Sequence, residues 1–82
     1  MTLRIHLNNH MRVASALIDL YEYLVENKCE KLFDPIVDRI QIIYQKKISG
    51  GEYRFRCRNI VIIVRSVAQD IVDIEFRRYL NM

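Results

Sequence analysis

The sequence has few of the residues that interrupt regular structure. It contains two glycines, Gly50 and Gly51, one proline, Pro35, and no tryptophan. Because glycine and proline are the strongest local breakers, these positions divide the chain into three blocks, with no linker, internal repeat or low-complexity tract. Its 82 residues are too few for two ordinary domains. We therefore expect residues 1–82 to form a single domain.

The sequence motifs of common catalytic sites are absent. Two adjacent glycines cannot build a P-loop or a dinucleotide fingerprint, and neither GxSxG nor HExxH occurs. His6 and His10 are four residues apart, but no neighbouring carboxylate or cysteine completes a set of metal ligands. Cys57 lies among arginines, which lower the pKa of a thiol, but no histidine is near it in sequence. We expect no enzymatic activity, no catalytic residue, no metal and no cofactor.

Long apolar runs are also absent. The longest aliphatic run, residues 60–64, is far below the ~20 residues that cross a bilayer. Polar residues from Arg4 to Asn9 interrupt any apolar N-terminal segment, so a cleaved signal peptide is not expected. We expect no membrane segment and an intracellular location, either cytoplasmic or nuclear, or the corresponding host compartment if the protein is viral.

Cysteine is scarce. Cys29 and Cys57 are the only two cysteines, and they form no CxxC pair. In a reducing compartment, two buried free thiols are the expected form. A disulfide between Cys29 and Cys57 is the alternative that the sequence leaves open.

The first block predicts a helix over residues 9–27. Asn8 or Asn9 can accept the hydrogen bond that caps its start. Acidic residues lie mostly off the apolar side of this segment. The apolar residues recur at three- and four-residue steps, the spacing of one helical face: Met11, Ala14, Leu17, Ile18, Tyr21, Leu24 and Val25.

The second block predicts a helix over residues 35–48. Asp34 followed by Pro35 suits a helix start, because the first helical position needs no N–H. Isoleucines then continue at helical spacing, and Gly50 is a plausible stop. Isoleucine and tyrosine also favour strands, so an α+β fold with a 37–48/52–64 hairpin is an alternative.

The third block carries two competing patterns. Aromatic residues and Cys57 alternate with arginines over residues 52–58, which is typical of a strand. A seam with steps of four and three, typical of a helix, runs through Tyr53, Cys57, Ile60, Val64, Val67, Ile71 and Ile74. Because this seam continues to Ile74, we predict a helix over residues 60–80. Residues 2–7 and 52–58 can pair as a short two-stranded ribbon.

The fold class predicted from these three blocks is mainly α. Its principal helices are near residues 9–27, 35–48 and 60–80, and the short ribbon is an optional addition. A three-helix all-α bundle is the second alternative, beside the α+β hairpin arrangement.

Positive charge is concentrated in one quarter of the chain. Residues 46–65 contain six basic residues and one acidic residue, a net charge of +5, against +3 for the whole protein. On a strand, alternate arginines lie on one face about 6.5–7 Å apart, close to the spacing of phosphates along one nucleic-acid strand. A solvated face with ion pairs to Asp70, Asp73 or Glu75 is the structural alternative.

This charge pattern favours a small nucleic-acid-binding regulatory protein that contacts the phosphates of DNA or RNA. The predicted binding residues are Arg4, Lys46, Lys47, Arg54, Arg56, Arg58 and Arg65.

A second apolar set in the last block suggests an oligomer. If residues 60–80 are helical, that helix is apolar on two sides and both need cover, which another subunit can supply. The alternative function is a protein-interaction module, such as an adaptor, inhibitor or assembly subunit, that acts through this surface. The predicted interface residues are Val72, Phe76, Tyr79 and Leu80.

Overall fold

The computed structural model describes residues 1–79, in which two helices pack on one face of a four-stranded sheet. All neighbouring strands are antiparallel, in the spatial order β1-β4-β3-β2. The fold is therefore α+β, and the prediction of a mainly α fold is wrong. The elements are β1 (Thr2–His6), α1 (His10–Glu26), a short 3-10 helix (Glu30–Leu32), α2 (Phe33–Lys46), β2 (Glu52–Cys57), β3 (Ile60–Ala68) and β4 (Ile71–Arg78).

The predicted helix over residues 60–80 is replaced by the hairpin of β3 and β4. Residues 60–64 are all β-branched, and such side chains pack better on a pleated sheet than on a helix. Ile62 faces the helices, while its neighbour Ile63 faces the opposite side of the sheet. Both are fully buried. Because β3 is apolar on both faces, its sequence does not show the alternation of apolar and polar residues that is typical of a strand.

The predicted ribbon of residues 2–7 and 52–58 is also wrong. Both segments are strands, but β1 and β2 lie at opposite edges of the sheet. β1 pairs with β4, where Ile5 lies opposite Val72, and β2 pairs with β3. The alternative 37–48/52–64 hairpin is excluded because most of its first arm lies in α2.

Two of the three predicted helices are present. The side chain of Asn9 caps α1 by accepting a hydrogen bond from the Arg12 main-chain N–H at 3.1 Å. α2 ends at Lys46 and is capped by Lys47, whose φ of 51° is left-handed. Gly50 and Gly51, both with positive φ, then turn the chain into β2. Neither helix is long and apolar enough to cross a membrane within the described residues.

The hydrophobic core lies between the helices and the sheet. From α1, Ala16, Leu20 and Leu24 are buried. Of the seven residues in the apolar stripe predicted for this helix, two pack into the core, Leu17 and Leu24. The other five are exposed and form what we call the outer stripe: Met11, Ala14, Ile18, Tyr21 and Val25.

A disulfide joins Cys29 to Cys57, with the two Cα atoms 5.9 Å apart. It connects the segment after α1 to the last residue of edge strand β2. Both cysteines are buried. The expectation of two free thiols is therefore wrong.

Candidate nucleic-acid interface

The sheet face opposite the helices, here called the open face, carries most of the charged strand residues. Antiparallel register arranges their side chains in rows across the strands. The first row contains alternating charges, and the next two contain one apolar residue each. In spatial order, the rows are Arg4–Asp73–Arg65–Glu52, then Glu75–Ile63–Arg54, then Arg77–Val61–Arg56.

The first row contains two ion pairs, Arg4–Asp73 and Arg65–Glu52, and Arg65 also pairs with Glu75 of the second row. Arg4 donates two hydrogen bonds to Asp73, from Nε to Oδ1 at 2.8 Å and from Nη2 to Oδ2 at 2.9 Å. Arg65 donates from Nε to Glu52 at 3.0 Å and from Nη1 to Glu75 at 2.5 Å. Arg4 and Arg65 are therefore engaged by carboxylates of the same face.

The remaining arginines of the open face differ in their partners. Arg54 donates to Glu52 at 3.1 Å, and Arg77 donates to Glu75. Arg56 makes no ion pair with any carboxylate in residues 1–79. Five arginines against three carboxylates leave the three rows with a net charge of +2.

Two apolar residues of β3 are buried on the open face although no second layer formed by residues 1–79 covers it. Ile63 is 0% exposed and Val61 is 7% exposed. In register, Ile63 lies between Arg54 and Glu75. Long charged side chains cover apolar surface with their hydrocarbon stems while their heads stay in water. The charged side chains are therefore part of the packing of this face.

An open cleft of about 270 Å³ lies at the end of the open face nearest the β2–β3 turn. It is lined by Arg54, Arg56, Val61 and Tyr79, and we call it the Tyr79 cleft. The main-chain N–H of Tyr79 donates to the Asn59 carbonyl at 2.7 Å, which fixes the position of this residue beside the turn. Among residues 1–79, no carboxylate lines the cleft.

Three of the predicted basic residues lie away from this face. Lys46 and Lys47 are at the end of α2, in the helix layer. Lys47 lines a separate open cavity of about 520 Å³ beside Asp70, at the opposite end of the strands. Arg58 lies in the β2–β3 turn with a left-handed φ of 55°, so it does not continue the strand alternation of Arg54 and Arg56.

Arg77 is an open-face residue that sequence reasoning missed. The signal was present, because Asp73, Glu75 and Arg77 alternate with three apolar residues over residues 72–77. This period of two is typical of a half-buried strand. The longer seam with steps of four and three favours a helix over the same residues and conceals this alternation.

The predicted oligomer interface does not form one surface. Val72 and Phe76 are buried in the core of the chain itself, because the helix on which that prediction depended is absent. Tyr79 lies in the cleft described above. Leu80 lies outside the described residues.

The ion pairs lower the pKa values of all three open-face carboxylates. Hydrogen bonds from Arg77 and then Arg65 lower the pKa of Glu75 to about 2. A hydrogen bond from Arg4 lowers the pKa of Asp73, and one from Arg54, followed by one from Arg65, lowers that of Glu52.

We expect the free energy of unfolding to fall as the pH drops from about 5 towards 2. A carboxylate whose pKa is lowered by folding stabilises the protein fully above its unfolded pKa and loses this effect as the pH falls to its folded pKa. Chemical denaturation at a series of pH values measures the decline. Glu75→Gln should make it shallower, whereas Glu22→Gln on α1 should not, since Glu22 makes no ion pair within the described chain. Equal declines in all three proteins would contradict this account.

The described residues contain no group of three histidine, cysteine, aspartate or glutamate side chains that could hold a metal ion. His6 is at the end of β1 and His10 begins α1, and both are exposed. Comparison with protein-family models, with curated proteins and with solved structures yields no match. The function is therefore inferred from the geometry of the open face.

Proposed function

We propose that the protein is a small, non-enzymatic nucleic-acid-binding regulator that holds a single strand in the Tyr79 cleft. The observation that carries this proposal is the composition of the cleft. Two guanidinium groups and a tyrosine surround the apolar side chain of Val61, and none of the lining residues within 1–79 is a carboxylate. Proteins that bind single-stranded nucleic acid combine basic side chains for the backbone with aromatic side chains for the bases.

Arg56 is the residue best suited to a phosphate. Guanidinium groups bind phosphates with two parallel hydrogen bonds. Arg54 already shares Glu52 with Arg65, but Arg56 has no acidic partner in residues 1–79. As far as residues 1–79 are concerned, its donors are therefore available without breaking an ion pair.

Tyr79 and Val61 supply the surface for a base. Stacking of one base on an aromatic side chain contributes about 1–3 kcal/mol. Such stacking requires an unpaired base, because the bases of a duplex are already stacked on each other. The cleft therefore favours a single strand over duplex DNA or RNA.

The proposed binding is weak and has little sequence preference. The first two rows contain the carboxylates Asp73, Glu52 and Glu75, which repel a longer run of phosphates, so about two phosphate contacts are expected. Each contact on a single strand contributes about −0.7 to the slope of log affinity against log salt, so two contacts give a slope of about −1.4. Dissociation constants of about 10⁻⁴–10⁻⁶ M are usual for non-specific binding.

Fluorescence anisotropy with labelled oligothymidine and oligouridine at several salt concentrations tests the proposal. Arg56→Ala and Tyr79→Ala should each weaken binding by about tenfold, which corresponds to 1.4 kcal/mol. Lys46→Ala is the matched control, since it removes one exposed charge from the helix layer and should leave affinity unchanged. Arg56→Ala should also make the salt slope shallower by about 0.7, whereas Tyr79→Ala should not change it.

Three results would overturn the proposal. The first is no binding of either oligonucleotide at low salt. The second is an equal loss of affinity in Lys46→Ala and Arg56→Ala, which would mean that net charge alone is responsible. The third is tighter binding of a matched duplex than of the single strand.

An intracellular location, cytoplasmic or nuclear, is part of this proposal because the proposed ligand is found there. Disulfides are uncommon in reducing compartments. The two cysteines are 0% and 6% exposed, so burial limits the access of a reductant to the Cys29–Cys57 bond.

A further inference from the structure

An open cavity of about 520 Å³ lies at the end of the strands opposite the Tyr79 cleft, and we call it the Lys47 cavity. Its volume is within the range of about 300–1,000 Å³ that is usual for small-molecule sites. Three separate segments form its walls: the turn between β1 and α1, the end of α2, and the turn between β3 and β4. The lining residues are Asn8, Tyr44, Gln45, Lys47, Gln69 and Asp70.

Hydrogen bonds hold these three segments together. The main-chain N–H of Leu7 donates to the Asp70 carbonyl at 2.8 Å, which joins the end of β1 to the β3–β4 turn. The hydroxyl of Ser66 donates to the Ile48 carbonyl at 2.5 Å, which joins the segment after α2 to β3. The cavity is therefore formed by the fold itself, as most small-molecule sites are.

The cavity is lined by one positive and one negative side chain that do not neutralise each other. Lys47 and Asp70 make no ion pair, either together or with another residue of 1–79. Asn8 donates from Nδ2 to Asp70 Oδ2 at 3.2 Å and accepts a long hydrogen bond of 3.5 Å from the Tyr44 hydroxyl. Within residues 1–79 the bond from Asn8 engages Oδ2, so Oδ1 can accept from a ligand.

These two charges restrict the chemistry of the ligand. A phosphate or another simple anion is repelled by Asp70, and a simple cation is repelled by Lys47. The described residues also hold no group of side chains suited to a metal ion. A molecule that carries both an anionic and a cationic group can pair with both residues. A free amino acid is the smallest common molecule of this class.

The remaining lining residues indicate the kind of side chain that the ligand carries. Gln45 and Gln69 each offer an amide with two N–H donors and one acceptor oxygen, which suits a polar group. Tyr44 is 44% exposed, so its ring is accessible to a short carbon chain. No aliphatic side chain is among the lining residues within 1–79. The lining therefore favours a polar side chain over an apolar one.

We propose that the Lys47 cavity binds a free amino acid with a polar side chain. Lys47 contacts its carboxylate and Asp70 contacts its ammonium group, while Gln45 and Gln69 form hydrogen bonds with its side chain. This site lies at the opposite end of the strands from the Tyr79 cleft. It is therefore additional to the proposed nucleic-acid site and does not depend on it.

Titration with glutamine, followed in two-dimensional amide NMR spectra of the isotope-labelled protein without nucleic acid, tests the proposal. At millimolar glutamine, the amide signals of residues 44–47, 69–70 and Asn8 should shift. The signals of Arg56 and Tyr79 should stay in place, because they belong to the other end of the strands. Leucine, which has the same two charges but an apolar side chain, should bind more weakly than glutamine.

Two analogues of glutamine test the need for both charges. Glutaramate is glutamine without its amino group, and γ-aminobutyramide is glutamine without its carboxylate. Each analogue should bind at least tenfold more weakly than glutamine, which corresponds to about 1.4 kcal/mol, because each leaves one charged residue of the cavity without its partner.

Variants of the protein assign each charge to its residue. Asp70→Asn and Lys47→Met should each weaken glutamine binding at least tenfold, but Asp70→Asn should not weaken the binding of glutaramate, which has no ammonium group. An asparagine at this position keeps an oxygen that can accept from Asn8, so far-UV circular dichroism should match the wild type. Lys46→Met and Asp19→Asn are the matched controls. Neither residue lines the cavity, so both variants should bind glutamine as the wild type does.

Three results would overturn this inference. The first is the absence of localised amide shifts at millimolar glutamine. The second is equal affinity for glutamine and both analogues, which would show that the charges are not recognised. The third is an equal loss of affinity in Lys46→Met and Lys47→Met, which would mean that net charge alone is responsible. None of these results bears on the oligonucleotide measurements, so the two proposals fail separately.

Discussion

Replacing both Cys29 and Cys57 with alanine is expected to lower the free energy of unfolding by about 3.5 kcal/mol. The two cysteines are 28 residues apart in sequence, and closing a loop of that size restricts the unfolded chain by an amount between about 3 and 4.7 kcal/mol in the chain-entropy model. The bond also attaches the segment after α1 to edge strand β2. Urea denaturation of the double variant and of the oxidised wild type measures the difference.

Reduced wild-type protein is the control for the disulfide prediction. It should unfold at nearly the same urea concentration as the double variant, because both lack the cross-link. Alkylation of the native oxidised protein should modify neither cysteine. Rapid modification of Cys29 and Cys57 without reductant, or a midpoint that is insensitive to reductant, would show that the bond does not form in solution.

The second large effect is expected at Ile63, on the open face of the sheet. Ile63→Ala should destabilise the protein by about 3 kcal/mol, since truncating a fully buried isoleucine to alanine costs 2–5 kcal/mol. A residue on an uncovered sheet face would ordinarily be half exposed, but Ile63 is 0% exposed. Chemical denaturation measures the change.

Val67→Ala on the same strand is the matched control. Val67 is 46% exposed, so its truncation should cost less than about 1 kcal/mol. If Ile63→Ala lowers the free energy of unfolding as little as Val67→Ala, water reaches the Ile63 side chain and the arginine stems do not shield it. A large effect at Ile63 alone would confirm that the charged residues of the open face form a packed layer.

This packing separates two roles among the arginines. Arg4, Arg65 and Arg77 donate hydrogen bonds to Asp73 or Glu75. Ion pairs to these acidic residues are the structural alternative that the sequence raised. The arginines that form them are not the alternating arginines of residues 54–58. Arg56 has no such partner within residues 1–79. Loss of Arg56 should therefore affect binding more than stability.

The site was predictable in part. Strand-like alternation places Arg54 and Arg56 on one face, and the structure shows them together in the Tyr79 cleft. Lys46 and Lys47 are close to these arginines in sequence, but a helix end and a strand face point in different directions. The interface predicted for Tyr79 depends on a helix over residues 60–80, which the strands replace.

The sequence by itself determined the local features of this protein. Helical spacing, the Asn9 cap and the glycine pair define α1, α2 and the turn that follows them. Their signals act within a few residues, so no knowledge of the rest of the chain is needed. The concentration of positive charge in residues 46–65 is likewise visible without a structure.

Where the sequence carries both a helical and a strand pattern, only the tertiary structure decided which secondary structure forms. Residues 60–78 fit both a helical seam and two strands, and the strands form because β3 is buried on both faces, between the core and the side chains of the open face. The pairing of β1 with β4, the Cys29–Cys57 bond and the choice of the core side of α1 all join residues that are distant in sequence. Contacts of this kind depend on the packing of the whole chain, because an amphipathic element does not specify its own partner.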